Sequence, residues 1–223
     1  MTLEVITTAD GSRTIYSKDV DATFHSRHGA LAESKHIFID TGLNFVKTQS
    51  GKNSLSVLEV GYGSGLNALL AAEYALEKKI LLEYTGVDKY EFPQHLHAEL
   101  NFQNHLISAD ASVYHALMNA PINSVTAIHE RFIVHKIIDD FRNISLTKRY
   151  DVVFFDAFSP RQAPEMWTVE IFRNIYDHLN VGAALVTFCA QGQFKRDLKA
   201  AGFKVERLPG APGKREMTRG IKM

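Results

Sequence analysis

The sequence predicts an α/β fold: a mostly parallel sheet covered by helices, with a C-terminal antiparallel hairpin and an N-terminal extension. Three observations predict it. Short apolar runs of strand length alternate with longer runs of helical spacing from Leu55 onward, the pattern of a parallel sheet buried on both faces. A tight glycine turn, GYGSG (61–65), joins the first of these strands to its helix. The last two strand-like runs, FKVERL and REMTRGIKM, have only a short link between them, too short for the crossover that a parallel pair requires.

The elements follow in order. LEVITT (3–8) and RTIYS (13–17) are β-prone and separated by Asp10-Gly11, a hairpin signal. From Val20 to Val46 the apolar spacing is closer to helical, with interruptions at Gly29 and Gly42. Residues 1–50 thus read as a hairpin and helical extension, and residues 51–223 as the main domain. There, LSVLEVG (55–61) is a buried strand and LNALLAAEYALEKK (66–79) a helix. EYTGVD (83–88) is a second strand, residues 94–118 are helical in pattern, and FIVHKI (132–137) is a third strand. DVVFFDA (151–157) is the fourth, and PEMWTVEIFRNIYDHL (164–179) an amphipathic helix opened by Pro164. AALVTFC (183–189) is the fifth strand after Gly182, and QGQFKRDLKAAG (191–202) a helix stopped by Gly202.

At 223 residues, with 45% hydrophobic and 22% charged residues, the chain suits one soluble domain with small additions. No apolar run approaches the roughly 20 residues of a membrane span, and the N-terminus lacks the layout of a signal peptide. The single cysteine, Cys189, lies in an apolar run and reads as a buried structural thiol. The expected location is the cytoplasm. Net charge is zero, yet residues 195–223 carry nine Lys or Arg against three acids. That asymmetry points to a polyanionic partner near the C-terminus or to a solvated charged face.

Glu59, Gly61, Gly63 and Gly65 stand in the loop between a strand and a helix. Glycines there allow a sharp turn and close backbone approach, and the helix N-terminus presents free N–H groups. In an open α/β sheet such a loop, beyond the strands' carboxyl ends, is where ligands bind. A dinucleotide site wants GxGxxG, but the third glycine position holds Leu66, which disfavours NAD. The ExGxGxG spacing is the loop typical of S-adenosylmethionine sites. Asp88, ending the second strand, suits acceptance of both ribose hydroxyl protons. Glu59 has two readings: it faces the ligand's ammonium, or it holds the loop. Asp156, at the end of the fourth strand, either caps the following turn or stands beside the reactive methyl group.

DAFSPRQAPEMWT (156–168) resembles the motif D-G/A-F-S/A-P-x-x-x-P-E/D-M-W-T of the tRNA 5-methylaminomethyl-2-thiouridine methyltransferases, the methyltransferase part of MnmC and its stand-alone MnmD relatives. EVGYGSGLNALL is similar to their cofactor loop, FHSRHGALAESKHIFI to their upstream segment, and GKREM to their C-terminal motif. The resemblance runs from about Tyr16 to Met217. It implies a Rossmann-like S-adenosylmethionine-dependent methyltransferase fold and a reaction: N-methylation of the 5-aminomethyl group on the wobble uridine of tRNA. It adds Asn67 to the cofactor loop and puts Asp156 against the amine. It also implies an adenine-contacting acid after the third strand, with Asp139 and Asp140 as candidates. The 223 residues leave no length for the FAD-dependent oxidase of the bifunctional enzymes. The expectation is therefore no FAD, with the aminomethyl substrate supplied by other enzymes.

An alkylammonium has no lone pair, so it must lose a proton before attacking a methyl group. A carboxylate can align the amine and help remove that proton. Recognition of an unstacked anticodon base calls for aromatic rings, for which Phe158, Trp167, Tyr16 and Phe24 are candidates; each also reads as core packing. Lys214 and Arg215 of GKREM, then Lys195, Arg196 and Lys199, are candidates for phosphate contacts. The ten histidines include the close pairs His25/His28 and His95/His97, but no Cys or carboxylate cluster completes a ligand set, so no metal is expected. Two rival readings share the fold: a methyltransferase of a small-molecule amine, and a non-catalytic cofactor- or tRNA-binding protein.

Overall fold

A computed structural model describes residues 2–223. The Asp10-Gly11 signal produces the expected hairpin. Strand β1 (Leu3–Thr7) pairs antiparallel with β2 (Arg13–Ser17), and Asp10 Oδ1 accepts the Ser12 N–H at 3.0 Å inside the turn. A two-residue strand β3 (Ala22–Thr23) extends this small sheet. Helical geometry begins only at Ala30, ten residues later than the apolar spacing from Val20 suggests. It runs through α1 (Ala30–Ser34), ten residues of wider π-helical turns (Lys35–Asn44) and α2 (Phe45–Ser50). Gly42 sits inside this run because nothing larger fits: a Cβ there would lie 2.8 Å from Val186 Cγ2 and 3.4 Å from Phe154 Cε1.

The main sheet begins with β4 (Ser54–Val60), followed by α3 (Leu66–Lys78) and β5 (Leu81–Asp88). The helical pattern over 94–118 resolves into α4 (Gln94–Leu100) and α5 (Ala111–Met118). Asn101, with φ of 53°, ends α4, and the Asp110 carboxylate caps α5 by accepting the Ser112 and Val113 N–H groups. Strand β6 (Val125–His129) was not anticipated. It is a largely exposed edge strand with Val125 70% exposed, so it lacks the buried alternation that marks a strand in sequence. The third predicted strand is β7 (Phe132–Ile138), and β8 (Tyr150–Phe155) is buried at every position.

Pro164 opens only a single tight turn (Pro164–Met166); helix α6 (Val169–Asp177) starts after Thr168, whose hydroxyl accepts the Ile171 N–H. Strand β9 (Leu179–Thr187) continues through Gly182, and its register against β8 slips between Tyr150 and Val152. Helix α7 (Gly192–Ala200) leads to β10 (Lys204–Pro209) and β11 (Glu216–Ile221), the antiparallel C-terminal hairpin.

The eight strands lie in the order β10-β11-β9-β8-β4-β5-β7-β6. The five inner strands from β9 to β7 are parallel, and β6, β11 and β10 are antiparallel to their neighbours. Alternate residues of β8 serve two cores. Val152 and Phe154 pack with Phe38, Leu43 and the α3 side, and Val153 and Phe155 with Phe172 and Phe194 of α6 and α7. The helical part of the extension is therefore one layer of the sandwich. Strand succession runs outward from β4 in one direction and from β8 in the other. This makes the β4/β8 junction the switch point at which α/β sheets bind ligands.

Candidate active site

At that junction two strand ends touch. Gly61 has φ of +94°, and a Cβ on it would lie 2.5 Å from the Asp156 carbonyl oxygen. Only glycine meets both conditions. The Asp156 N–H donates to the Val60 carbonyl at 2.8 Å, and the Gly61 and Tyr62 N–H groups donate to the Val87 carbonyl at 2.9 and 3.1 Å. The glycine turn is thereby tied to the ends of both β5 and β8.

Beyond the strand ends lies a cavity of about 660 Å³. Gly61, Tyr62, Gly63, Asp88, Asp139, Asp156 and Phe158 line its sheet side; Phe24, His25 and Glu33 of the extension, with Phe188 and Lys214, line the other. Its volume is in the range of small-ligand sites.

Two carboxylates are linked through Asn67 at the start of α3. Glu59 is fully buried, its Oε2 accepting from the Tyr84 hydroxyl and its Oε1 from Asn67 Nδ2, both at 2.8 Å. Asn67 Nδ2 also donates to Asp156 Oδ2 at 2.8 Å. Glu59 does not line the cavity, so of its two readings the loop-holding one matches its position. Burial lifts the Glu59 carboxyl well above its ordinary value despite both hydrogen bonds. Burial, then the nearby Glu33 charge, does the same for Asp156, opposed by Asn67 and Lys214. Burial also raises Asp88, against the pull of hydrogen bonds from the backbone N–H groups of Gly63, Tyr90 and Lys89.

Asp88 accepts the Gly63 N–H on Oδ2 at 2.8 Å and the Tyr90 N–H on Oδ1 at 3.1 Å. A carboxylate has about four acceptor positions, so Asp88 retains capacity on its cavity side for a ribose hydroxyl. Gly65 is the left-handed residue before α3. Of the two acids after β7, Asp140 is committed to Arg142 at 2.6 Å and Lys89 at 3.4 Å. Among the described residues the Asp139 carboxylate accepts only the Asp140 N–H, at 2.7 Å, and it is exposed at the rim.

Phe158 lines the cavity and meets Phe24 edge-to-face with centroids 5.6 Å apart. Trp167 does not reach the cavity. It is 6% exposed, packs on Phe155 and Phe194, and its indole N–H donates to the Phe158 carbonyl at 2.7 Å. Tyr16 lines the cavity at its outer end and donates to Asp21. Lys214 faces inward, with its ammonium 2.5 Å from Glu33 Oε1, whereas Arg215 is exposed. Lys195 is paired with Glu216 at 3.1 Å; Arg196 and Lys199 remain at the surface. Cys189 is buried.

Glu33 was not singled out from sequence. It sits inside the quoted segment FHSRHGALAESKHIFI, but no local spacing marks it, because its charged partner, Lys214, comes from a distant part of the chain. Among the described residues no three His, Cys, Asp or Glu side chains converge as metal ligands. The buried His25 ring is bonded to Thr14 at 2.8 Å and His97 stacks on Phe92. Among the described residues no helix is long and apolar enough to cross a membrane.

Comparison with known proteins agrees with this geometry. The chain is 27% identical over 224 residues to the tRNA 5-methylaminomethyl-2-thiouridine biosynthesis bifunctional protein MnmC of Ralstonia nicotianae, covering 92% of this chain and 32% of that protein. It is 29% identical over 230 residues to MnmC of Cupriavidus metallidurans, covering 96% and 33%. The chain thus spans about a third of the length of the curated relatives it matches. The crystal structure of MnmC2 from Aquifex aeolicus superposes with a TM-score of 0.79 at 25% identity, over 99% of this chain and 70% of that one. Spermidine synthase from Thermotoga maritima shares the fold alone, with a TM-score of 0.55 at 10% identity, over 98% of this chain and 71% of that one. A family profile described as S-adenosyl-L-methionine-dependent methyltransferase matches residues 112–223. The chain belongs to that methyltransferase family.

Proposed function

We propose that this protein transfers a methyl group from S-adenosylmethionine to the primary amine of 5-aminomethyluridine at the wobble position of tRNA. The observation that carries the reading is Asp156. Its carboxylate stands at the switch point, is held by Asn67 at 2.8 Å, and opens onto a cavity shared with the glycine loop. Two further facts support it: the MnmC relatives named above align over 92% and 96% of the chain.

S-adenosylmethionine, when bound, supplies a methyl carbon on a positively charged sulfur that keeps the bonding pair. Asp88 would accept the ribose hydroxyls, Gly61, Gly63 and Gly65 would let the backbone approach the ligand, and Asp139 would face the adenine. Glu59 and Asn67 hold the loop and aim Asp156. Asp156 would accept hydrogen bonds from the substrate amine, fixing the nitrogen lone pair on the methyl carbon. An ordinary carboxylate is a poor base for an alkylammonium. Burial brings the Asp156 carboxyl closer to the amine, so it receives the departing proton with a smaller free-energy mismatch. Phe158 and Phe24 offer rings for an unstacked uracil. The exposed Arg215, Arg196 and Lys199 would meet the phosphates, giving salt-sensitive binding.

The test uses methyl-labelled S-adenosylmethionine with three acceptors: tRNA bearing wobble 5-aminomethyluridine, unmodified tRNA and the free modified nucleoside. Label is expected in the modified tRNA alone. Equal transfer to the free nucleoside would instead identify a small-molecule amine methyltransferase, and transfer to none of the three would leave only a binding role. Asp156→Ala should remove turnover and spare cofactor affinity.

A further inference from the structure

Burying a carboxylate is unfavourable unless another charge or donor opposes it. Glu33, brought by the N-terminal extension, is 6% exposed and lines the same cavity as Asp156. Its Oε2 accepts the Ser26 N–H at 2.6 Å. Its Oε1 faces the Lys214 ammonium at 2.5 Å and has no other hydrogen-bond partner among the described residues. That ammonium lies 4.5 Å from the centroid of the Phe188 ring. A primary alkylammonium therefore already sits in this cavity between a carboxylate and an aromatic face, the pairing that recognises such a cation. The inferred substrate carries the same group, a CH2–NH3⁺.

We propose that Glu33 is a second carboxylate of the amine subsite, receiving the aminomethyl group alongside Asp156, with Lys214 as the resident cation that balances Glu33 before substrate arrives. This rests on the reading of Asp156 as the amine-facing group. Two carboxylates draw a cationic amine out of water. Lys214, a like charge beside it, offsets one of them, so the amine gives up its proton more readily than it would between two unopposed carboxylates. The fourth titratable group at this end, His25, is bonded to Thr14 and held neutral by burial, its pKa lowered to about 4. It leaves the balance to Asp156, Glu33 and Lys214.

The experiment compares the wild type, Glu33→Gln and the double variant Glu33→Gln/Lys214→Met. Glu33→Gln should lower kcat/KM for aminomethyl-tRNA by about tenfold or more, the scale of one charge-assisted hydrogen bond, with unchanged affinity for S-adenosylmethionine. Removing both charges spares folding the penalty of an unpaired buried ion. If Glu33 serves only to hold Lys214, the double variant regains wild-type kcat/KM and the proposal is overturned; persistence of the defect supports it. A separate arm measures, by calorimetry, binding of 5-aminomethyluridine and 5-methyluridine to protein loaded with S-adenosylhomocysteine. The wild type should prefer the amine, and Glu33→Gln should lose that preference. A wild type inactive on tRNA would sink the proposed function but not this arm. Loss of the nucleoside preference in Glu33→Gln still supports Glu33, and its retention in the variant or absence from the wild type rejects it.

Discussion

Asn67 Nδ2 lies 2.8 Å from Asp156 Oδ2, and the same nitrogen donates to the fully buried Glu59. One amide at the start of α3 thus joins the acid on β4 to the acid at the end of β8. It passes the rigidity of the buried Glu59–Tyr84 bond to the carboxylate that faces the cavity. Asn67→Ala should leave Asp156 free to rotate. A misplacement of that kind costs about 10²-fold in rate, and kcat should fall far more than cofactor affinity. Single-turnover methyl transfer checks this; an unchanged rate would mean that Asn67 does not aim Asp156.

Asp88 holds the Gly63 N–H and faces the cavity with its remaining acceptor positions. Asp88→Ala should weaken S-adenosylmethionine binding by about 10- to 100-fold, the scale of one charge-assisted hydrogen bond. Asp139→Ala, at the exposed rim, should have the smaller effect. Isothermal titration of each variant measures the order, and the reverse order would reassign the ribose acid.

Glu59 gives a pH dependence of fixed sign. Its carboxyl, ordinarily near 4.5, is raised in the folded protein by burial. The folded state therefore holds the proton more tightly than the unfolded chain. Its contribution to stability is fully present below about pH 4.5 and is lost as pH rises toward the raised value. Glu59→Gln cannot lose a proton, so its stability relative to wild type should improve from pH 4.5 to pH 8. Urea unfolding at the two pH values reads this directly; a pH-independent difference would mean Glu59 titrates alike in both states.

Trp167 and Phe158 should separate packing from recognition. Trp167→Ala removes a buried ring and should cost about 3–5 kcal/mol of stability, whereas Trp167→Phe loses chiefly the bond to the Phe158 carbonyl, about 1 kcal/mol. Phe158→Ala should instead weaken tRNA binding by about 1–3 kcal/mol, the scale of one base stack. Chemical denaturation and a tRNA binding titration make the comparison. Weaker tRNA binding in Trp167→Phe at full folding would return Trp167 to the interface.

Local pattern determined much of this protein. The fully apolar β8, the glycine turn after β4, and acids at the ends of β5 and β8 are each written in a few adjacent residues, because period and turn chemistry are short-range properties. These signals were enough to predict the parallel sheet and the glycine loop at its strand ends; at Asp156 they left cap and site both open, and only the resemblance of DAFSPRQAPEMWT implied a role. They failed where neighbours in space are strangers in sequence. Strand β6 carries no buried face to announce it. Asp139 and Asp140 are indistinguishable until Arg142 and Lys89 claim one of them. Trp167 reads as a core ring or as a base contact until Phe155 and Phe194 enclose it. Glu33 and Lys214 meet only when the extension and the C-terminal hairpin close over one cavity. The sequence alone determined which strand ends bear acids. Only the tertiary structure decided which of those acids, and which residues from afar, share a desolvated space in which their charges interact strongly.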